Sequence, residues 1–410
     1  MGAPEEATKK KPTSGHISEQ LEEDISTFPH MEVSHLYFLL QVATTSHAAL
    51  ADAEVAAAKT KLLGLIAEHH MAPFYERVAA EFHWPVETAL LATMKQHNED
   101  ELTKLDAQLA DAEANLGDIE VLEAHLGRAR LYSLIGDKDK VLEAFHTALA
   151  KPTSVNQKII IQLHIIRVGL FFSDLPLVET HIKKARVLID EGGDWDRRNR
   201  LKVYEGCYLL MARDFKKASS LFQDSVATFT STELMSYPTM IFYAVITSVL
   251  STSRVELKKK IVDSSEVLAV LRDIPHLSDF LNGLYDCNYK QFFTAIVGLH
   301  AHVNRDKYLA LHSRYIYREL RILAYAQFLE AYRSVTLQSM ATAFGVGVVF
   351  LDTELSRFIS AGRLNAKIDK VAGVIETNRP DAKNAQYQDT VKQGDALLNR
   401  IQKLARVINV

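Results

Sequence analysis

Cysteine is scarce in this chain: Cys207 and Cys287 are the only two in 410 residues. Two isolated thiols exclude a disulfide framework and a CxxC zinc site, and they suit a reducing compartment. Glycine and proline are also sparse, at 17 and 10 residues, too few for a loop-rich or all-β chain of this length. A large excess of one charge is missing. The 47 Lys and Arg stand against 51 Asp and Glu, a net charge of −4, so nothing marks a dedicated polyanion binder. Long hydrophobic runs are absent too. The longest, Met240–Leu250, is too short to span a bilayer, and Met1–Gln20 lacks the apolar core of a secretory signal. Glu6 stands where N-myristoylation needs Ser or Thr. These absences lead us to expect a protein of the cytoplasm and nucleus, with no membrane partner.

What is present is ordinary for a globular protein: 48% apolar and 24% charged residues, with length for two or more packed units. Residues 1–30 are polar and read as a disordered tail. From Met31 the pattern is helical. Residues 31–117 form an N-terminal helical region rich in Ala, Leu, Glu and Lys, with Gly117 as a helix stop.

An imperfect repeat follows, within a helical-repeat segment read as 118–333. "LYSLIGDKDKVLEAFHTALA", "GLFFSDLPLVETHIKKARVLI" and "CYLLMARDFKKASSLFQDSV" share an apolar helix end, a short turn carrying Asp, and an amphipathic helix. Aligning Gly136, Ser173 and Arg213 gives spacings of 37 and 40 residues, near the period of helix–turn–helix repeats. One hairpin cannot bury its apolar face alone, so neighbours must stack. We expect a mainly α fold built on a right-handed, tetratricopeptide-like solenoid. The tyrosine-rich stretch "SRYIYRELRILAYAQFLEAYRS" reads as helix–helix contact within it.

Residues 334–380 read as a winged helix with a two-stranded hairpin as its wing. Thr336 caps a helix that Gly345 ends. Asp352 caps the next, whose Leu351, Leu355, Phe358 and Ile359 share a face, and Gly362 stops it. Leu364, Ala366 and Ile368 then alternate with Asn365, Lys367 and Asp369 as a half-buried strand, returning through Val374, Ile375, Glu376 and Thr377. Residues 385–410 read as a last helix, with an apolar stripe through Val391, Leu398, Ile401, Ala405 and Ile408, flanked by Leu397 and Leu404.

A winged helix is best known for reading DNA, but this one is poorly charged for it. Residues 334–380 hold five basic and four acidic residues, and the candidate recognition helix carries Asp352 and Glu354 against Arg357. We expect no nucleic-acid partner. The wing reads instead as a docking edge for another strand, with Lys367 as an outward-facing position.

Searches for chemistry end empty. His300 and His302 lack the Ser and Asp spacing of a deubiquitinase zinc motif, and His69–His70 has no HExxH context. Gly345–Phe350 lacks GxGxxG and a preceding strand. In Asp190–Gly206, Arg197, Arg198 and Arg200 read as surface ion pairs, with an acidic partner's site as the alternative. We expect no enzyme, no catalytic or metal residue and no cofactor.

The order of helical region, solenoid, winged helix and terminal helix resembles the PCI family, scaffold proteins of the proteasome lid, the signalosome and translation initiation factor three. "GGDWDRRNRLKVYEG", "RELRILAYAQFLEAYRSVTL", "ELSRFISAGRL", "KIDKVAGVIETNRPD" and "LLNRIQKLARVIN" are similar to non-ATPase members of the proteasome lid. Ala385 stands where that pattern has a tryptophan. The resemblance implies a PCI module over 200–380 that joins other lid PCI subunits edge to edge through Leu364–Asp369 and Val374–Thr377. It implies a helical bundle, contacted by Val391, Leu397, Leu398, Ile401, Leu404 and Ile408, that reaches the lid deubiquitinase module. The solenoid would extend toward the ATPase ring. A signalosome paralogue or a nucleic-acid-binding PCI protein are the alternatives.

Overall fold

A computed structural model describes residues 28–45, 52–115, 117–151, 154–378 and 382–408. Most of the expected tail, 1–30, lies outside them. Two compact units divide the chain. One comprises Met1–Leu281 with Ile296–Ile316, the other Asn282–Ala295 with Tyr317–Val410.

The first unit opens with four helices: α1 Met31–Thr45, α2 Asp52–Glu68, α3 Ala72–Phe82 and α4 Thr88–Asn115. Gly117 is not the left-handed stop expected of it. It sits at φ −100° as the N-cap of α5 (Asp118–Ile135), its N–H bonded to the Glu120 carboxylate at 3.1 Å. Hairpins then follow: α5 with α6 (Lys138–Leu149), α7 (Val155–Phe171) with α8 (Leu175–Gly192), and α9 (Trp195–Met211) with α10 (Phe215–Ser225); α11 (Tyr237–Ser251), the short α12 (Arg254–Leu257) and α13 (Ser265–Val270) come after them. Each packs on the next, α6 on α7, α8 on α9 and α10 on α11.

The repeat register read from the sequence is the structural one. Gly136, Ser173 and Arg213 all take left-handed φ, at 75°, 57° and 63°. At each corner the following Asp N–H reaches back to a carbonyl five residues earlier: Asp137 to Tyr132 (3.2 Å), Asp174 to Gly169 (2.9 Å), Asp214 to Leu209 (2.9 Å). Its carboxylate then accepts the N–H three residues on, from Lys140, Leu177 and Lys217, capping the next helix. Lys138 ties two corners together by its ion pair to Asp174 at 2.6 Å. The α11–α12 corner departs from the pattern: Thr252 has φ −100°, and Ser253 caps alone. In the second unit the design returns. Cys287 (φ 61°) precedes Asn288, whose side chain accepts from Gln291 N–H, and it lies 74 residues after Arg213, twice 37.

One buried cluster holds α1 to the repeats. Lys307, 3% exposed, donates to the carbonyls of Leu170 (2.6 Å) and Phe171 (3.0 Å) at the end of α7 and to Ser34 Oγ of α1. Ser34 Oγ itself donates to the Phe171 carbonyl at 2.7 Å. Burial pushes Lys307 below its ordinary pKa, and two carbonyls at a helix C-terminus together with the Ser34 hydroxyl oxygen favour the ammonium. Beside it, Asp306 accepts from Tyr243 and from the N–H groups of Tyr308 (2.9 Å) and Leu309 (3.0 Å).

The second unit contains the Asn282–Tyr285 end of α14 (Leu277–Tyr285), the Tyr289–Ala295 part of α15 (Tyr289–Arg305) and the Tyr317–Ala331 part of α16 (Ser313–Ala331). Then come β1 Ser334–Thr336, α17 Leu337–Phe344, α18 Val348–Ser360, β2 Ala366–Asp369, β3 Val374–Thr377 and α19 Ala382–Ile408. Phe344 is its aromatic hub, 1% exposed, with ring centroids of Tyr289 at 4.8 Å, Tyr325 at 4.9 Å, Phe293 at 5.1 Å and Phe328 at 5.4 Å. The tyrosine-rich stretch is packing in part: Tyr317 and Tyr325 are buried and Tyr315 half-buried, but Tyr332 is exposed.

Candidate functional site

The wing has three strands, not two. Their order is β1-β3-β2, all antiparallel. Val374–Thr377 is expected at a partner's edge, but β3 is the central strand and its backbone is paired on both sides. Ser334–Thr336 is not legible as a strand in the sequence, because three residues before a helix cap carry too little period. The outer edges are those of β1 and β2.

The hydrogen-bond phase of β2 follows from its neighbours. Ala366 pairs with Thr377 and Lys367 with Glu376. One step further along this register, Asn378 N–H donates to the Asn365 carbonyl at 2.9 Å. Bonded and non-bonded pairs alternate in an antiparallel ladder, so Asn365, Lys367 and Asp369 turn their backbone groups inward. Ala366 and Ile368 turn theirs outward. The expectation that Lys367 offers its N–H to a partner is corrected: its side chain is exposed, but its backbone belongs to the sheet.

Side chains divide differently. Leu364, Ala366 and Ile375 are buried, at 5%, 4% and 0% exposure, so they are core residues of the module. Ile368, Val374 and Thr377 are half-buried, while Asn365, Lys367, Asp369 and Glu376 are exposed. At the wing tip the Asp369 carboxylate accepts from Val371 N–H (2.9 Å) and Ala372 N–H (3.2 Å), which leaves Val371 fully exposed. Lys370 bridges back to Asp352 of α18 at 3.2 Å.

The α18 helix begins at Val348, with Gly347 and not Asp352 as its cap. Leu351, Leu355 and Phe358 are buried as expected, and Ile359 is half-buried. Glu354 is buried as well. Arg321 grips it with Nε at 3.1 Å and Nη2 at 2.9 Å, and Tyr325 donates its hydroxyl at 3.0 Å. Glu354 therefore stabilises the module and does not face a groove. The solvent side of α18 shows Val349 (82% exposed), Phe350 (49%), Thr353, Ser356 and Arg357. That face sets two apolar residues beside two hydroxyls and a single cation.

The last helix, α19, leaves an apolar face uncovered among the described residues. Val391, Leu397, Leu398, Ile401, Leu404 and Ile408 are 54–72% exposed, and Tyr387 and Val407, which the sequence reading omitted, reach 70% and 75%. Tyr387, Val391, Gly394, Leu398, Ile401, Ala405 and Ile408 alternate steps of four and three. That is the 3.5-residue period of a coiled-coil seam, which accepts another helix as its partner.

Elsewhere two of the ion pairs expected in the arginine-rich stretch form, and neither is a surface pair of exposed arginines: half-buried Arg200 meets Asp196 at 3.1 Å, and Arg197, 9% exposed, meets Asp194 at 3.3 Å, while Arg198 is exposed. His302 packs edge-on against Phe242 at 4.6 Å, and no metal-holding cluster occurs among the described residues. Among those residues, no helix is long and apolar enough to cross a membrane.

Comparison with known proteins agrees with this architecture. Residues 87–260 match the model of 26S proteasome subunit RPN7, 296–379 that of the PCI domain, and 386–408 that of the 26S proteasome regulatory subunit RPN7/PSMD6 C-terminal helix. The chain is 51% identical over 382 residues to the Arabidopsis thaliana 26S proteasome non-ATPase regulatory subunit 6 homolog, covering 93% of this chain and 97% of that one. It is 44% identical to 26S proteasome non-ATPase regulatory subunit 6 of Dictyostelium discoideum, covering 95% and 100%. It is 36% identical to 26S proteasome regulatory subunit RPN7 of Saccharomyces cerevisiae, covering 96% of each. Likeness of this extent, reaching from the repeats through the PCI module to the terminal helix, places the chain in the RPN7/PSMD6 family of 26S proteasome regulatory subunits.

Proposed function

We propose that this chain is a non-catalytic scaffold of the 26S proteasome lid, supporting ubiquitin-dependent degradation by holding other subunits together. The observation that carries this reading is α19. A helix of 27 residues with an exposed 3.5-period apolar seam is costly to leave in water, and a bundle of helices covers it. The outward backbone groups of Ala366 and Ile368 give the wing a second contact, by strand addition to a neighbouring PCI subunit. The bundle would reach the lid deubiquitinase module, and the repeats would extend toward the ATPase ring. Such a complex works in cytoplasm and nucleus.

Purifying the tagged full chain from its own cells tests the reading. Lid and ATPase subunits should co-purify in fixed ratio with it. Recovery of signalosome subunits in their place would overturn the assignment to the proteasome.

A further inference from the structure

Four histidines meet at one corner of the N-terminal helices. His30, just before α1, stacks on His69 at the end of α2, with ring centroids 4.3 Å apart and planes 21° apart. The adjacent His70 stacks on His97 of α4 at 4.0 Å and 23°. Two ring stacks thus hold three helices at one point. His30 Nε2 and His70 Nδ1 are buried and have no hydrogen-bond partner among the described residues. The His70 carbonyl accepts from Asn98 Nδ2 at 3.0 Å, which places α4 beside the turn.

The charged surroundings set how these rings respond to protons. His30 faces Glu32 in the first turn of α1, Glu68 at the end of α2, His69 just after it, and Arg167 from α7. His70 faces His69 and His97 and has no carboxylate among its charged neighbours. Burial, followed by the repulsion a proton would meet from the neighbouring histidines and, for His30, from Arg167, lowers the proton affinity of both rings. A neutral ring stacks well on a neutral ring. A second proton on either pair places two like charges at stacking distance in a partly dry site.

We propose that this histidine corner is a pH-sensitive clamp that holds the end of α2 against α1 and α4 when neutral and releases it on mild acidification. Release would be local: the repeats contain none of these rings, and the Lys307 cluster fixes α1 independently of them.

Hydrogen–deuterium exchange on the full chain at pH 7.5 and 5.5, corrected for intrinsic rates, tests this. Protection near residues 64–71 and 94–98 should fall by about tenfold or more at the lower pH, while α9 and α10 keep theirs. The double variant His69→Phe with His97→Phe keeps an aromatic ring in each stack and removes one proton site from each, so its corner should stay protected at pH 5.5. Should that variant fold poorly at pH 7.5, His69→Gln with His97→Gln serves the same comparison. Unchanged protection in the unmodified chain at pH 5.5 would overturn the clamp. So would an equal loss in the ring-replaced chain.

Discussion

Gly136, Ser173 and Arg213 occupy one structural position with three different residue types. An L side chain in left-handed backbone costs about 1–2 kcal/mol, which the capping Asp and the back-bonded turn offset. The positions differ in what surrounds them. A Cβ at Gly136 would come within 3.1 Å of Phe74 Cβ and 3.2 Å of Met71 Cε. Gly136→Ala should therefore destabilise by roughly 1–3 kcal/mol, from strain plus crowding, read as a lower urea midpoint. Ser173→Gly should change it by less than about 1 kcal/mol, since relieved strain and added unfolded-state entropy oppose. Lys307 has no surface role. Lys307→Met leaves two helix-end carbonyls and Ser34 without their shared donor, and should destabilise by roughly 2–4 kcal/mol. His181 predicts an acid limit. Its Nδ1 lies 2.6 Å from Gln162 Oε1, and burial lowers its pKa to about 4. The unfolded chain takes a proton near pH 6.5 while the folded chain resists it. Stability from this group is thus full above pH 6.5 and is lost as pH falls toward 4. His181→Gln should reduce the pH 7-to-5 drop in urea midpoint by roughly 1 kcal/mol equivalent.

The element scale adds the contacts that a single residue does not define. In β2 the outward N–H groups are those of Ala366 and Ile368, of which Ile368 has the less buried side chain. Ile368→Pro should leave the β2–β3 ladder paired but weaken capture by a neighbouring PCI subunit, while Ile368→Ala, which keeps the N–H, should bind nearly as the unmodified chain does. Lys367→Pro should unfold the wing itself, because its N–H is spent inside the sheet. Equal pull-down of the neighbour by the Pro and Ala variants at position 368 would show that this edge is not the contact. For α19, removing Asp389–Val410 should leave the helical circular dichroism nearly proportional to length, yet block entry into the lid. Normal incorporation of the shortened chain would end the bundle reading.

For the molecule as a whole, charge decides what it avoids. The net charge is −4, and the solvent side of α18 shows one cation, Arg357. With Glu354 turned inward, repulsion by that residue is no part of the reason. The exposed side simply lacks the cations that hold phosphate. Duplex DNA should bind the full chain more weakly than roughly 10⁻⁵ M at physiological salt and without sequence preference. Fluorescence anisotropy across a salt series measures this, and sub-micromolar selective binding would revive the wing as a DNA reader.

The sequence by itself determined the helical class, the register of the corners at spacings of 37 and 40 residues, the caps at Thr336 and Gly362 and the apolar seam of α19. Each is local: periodicity, a cap or a left-handed turn is written within a few neighbouring residues. Tertiary structure decided what depends on partners distant in sequence. It added β1, because a three-residue strand exists only through β3. It made β3 central and turned Lys367 inward, because hydrogen-bond phase is set by pairing and not by side-chain alternation. It buried Glu354 against Arg321, 33 residues away, and gathered His30 from before α1, His69 and His70 from the turn after α2, and His97 from α4. Lys307 illustrates the same limit. Its oxygen partners lie 136, 137 and 273 residues earlier in the chain, and no window of sequence holds both ends of such a bond.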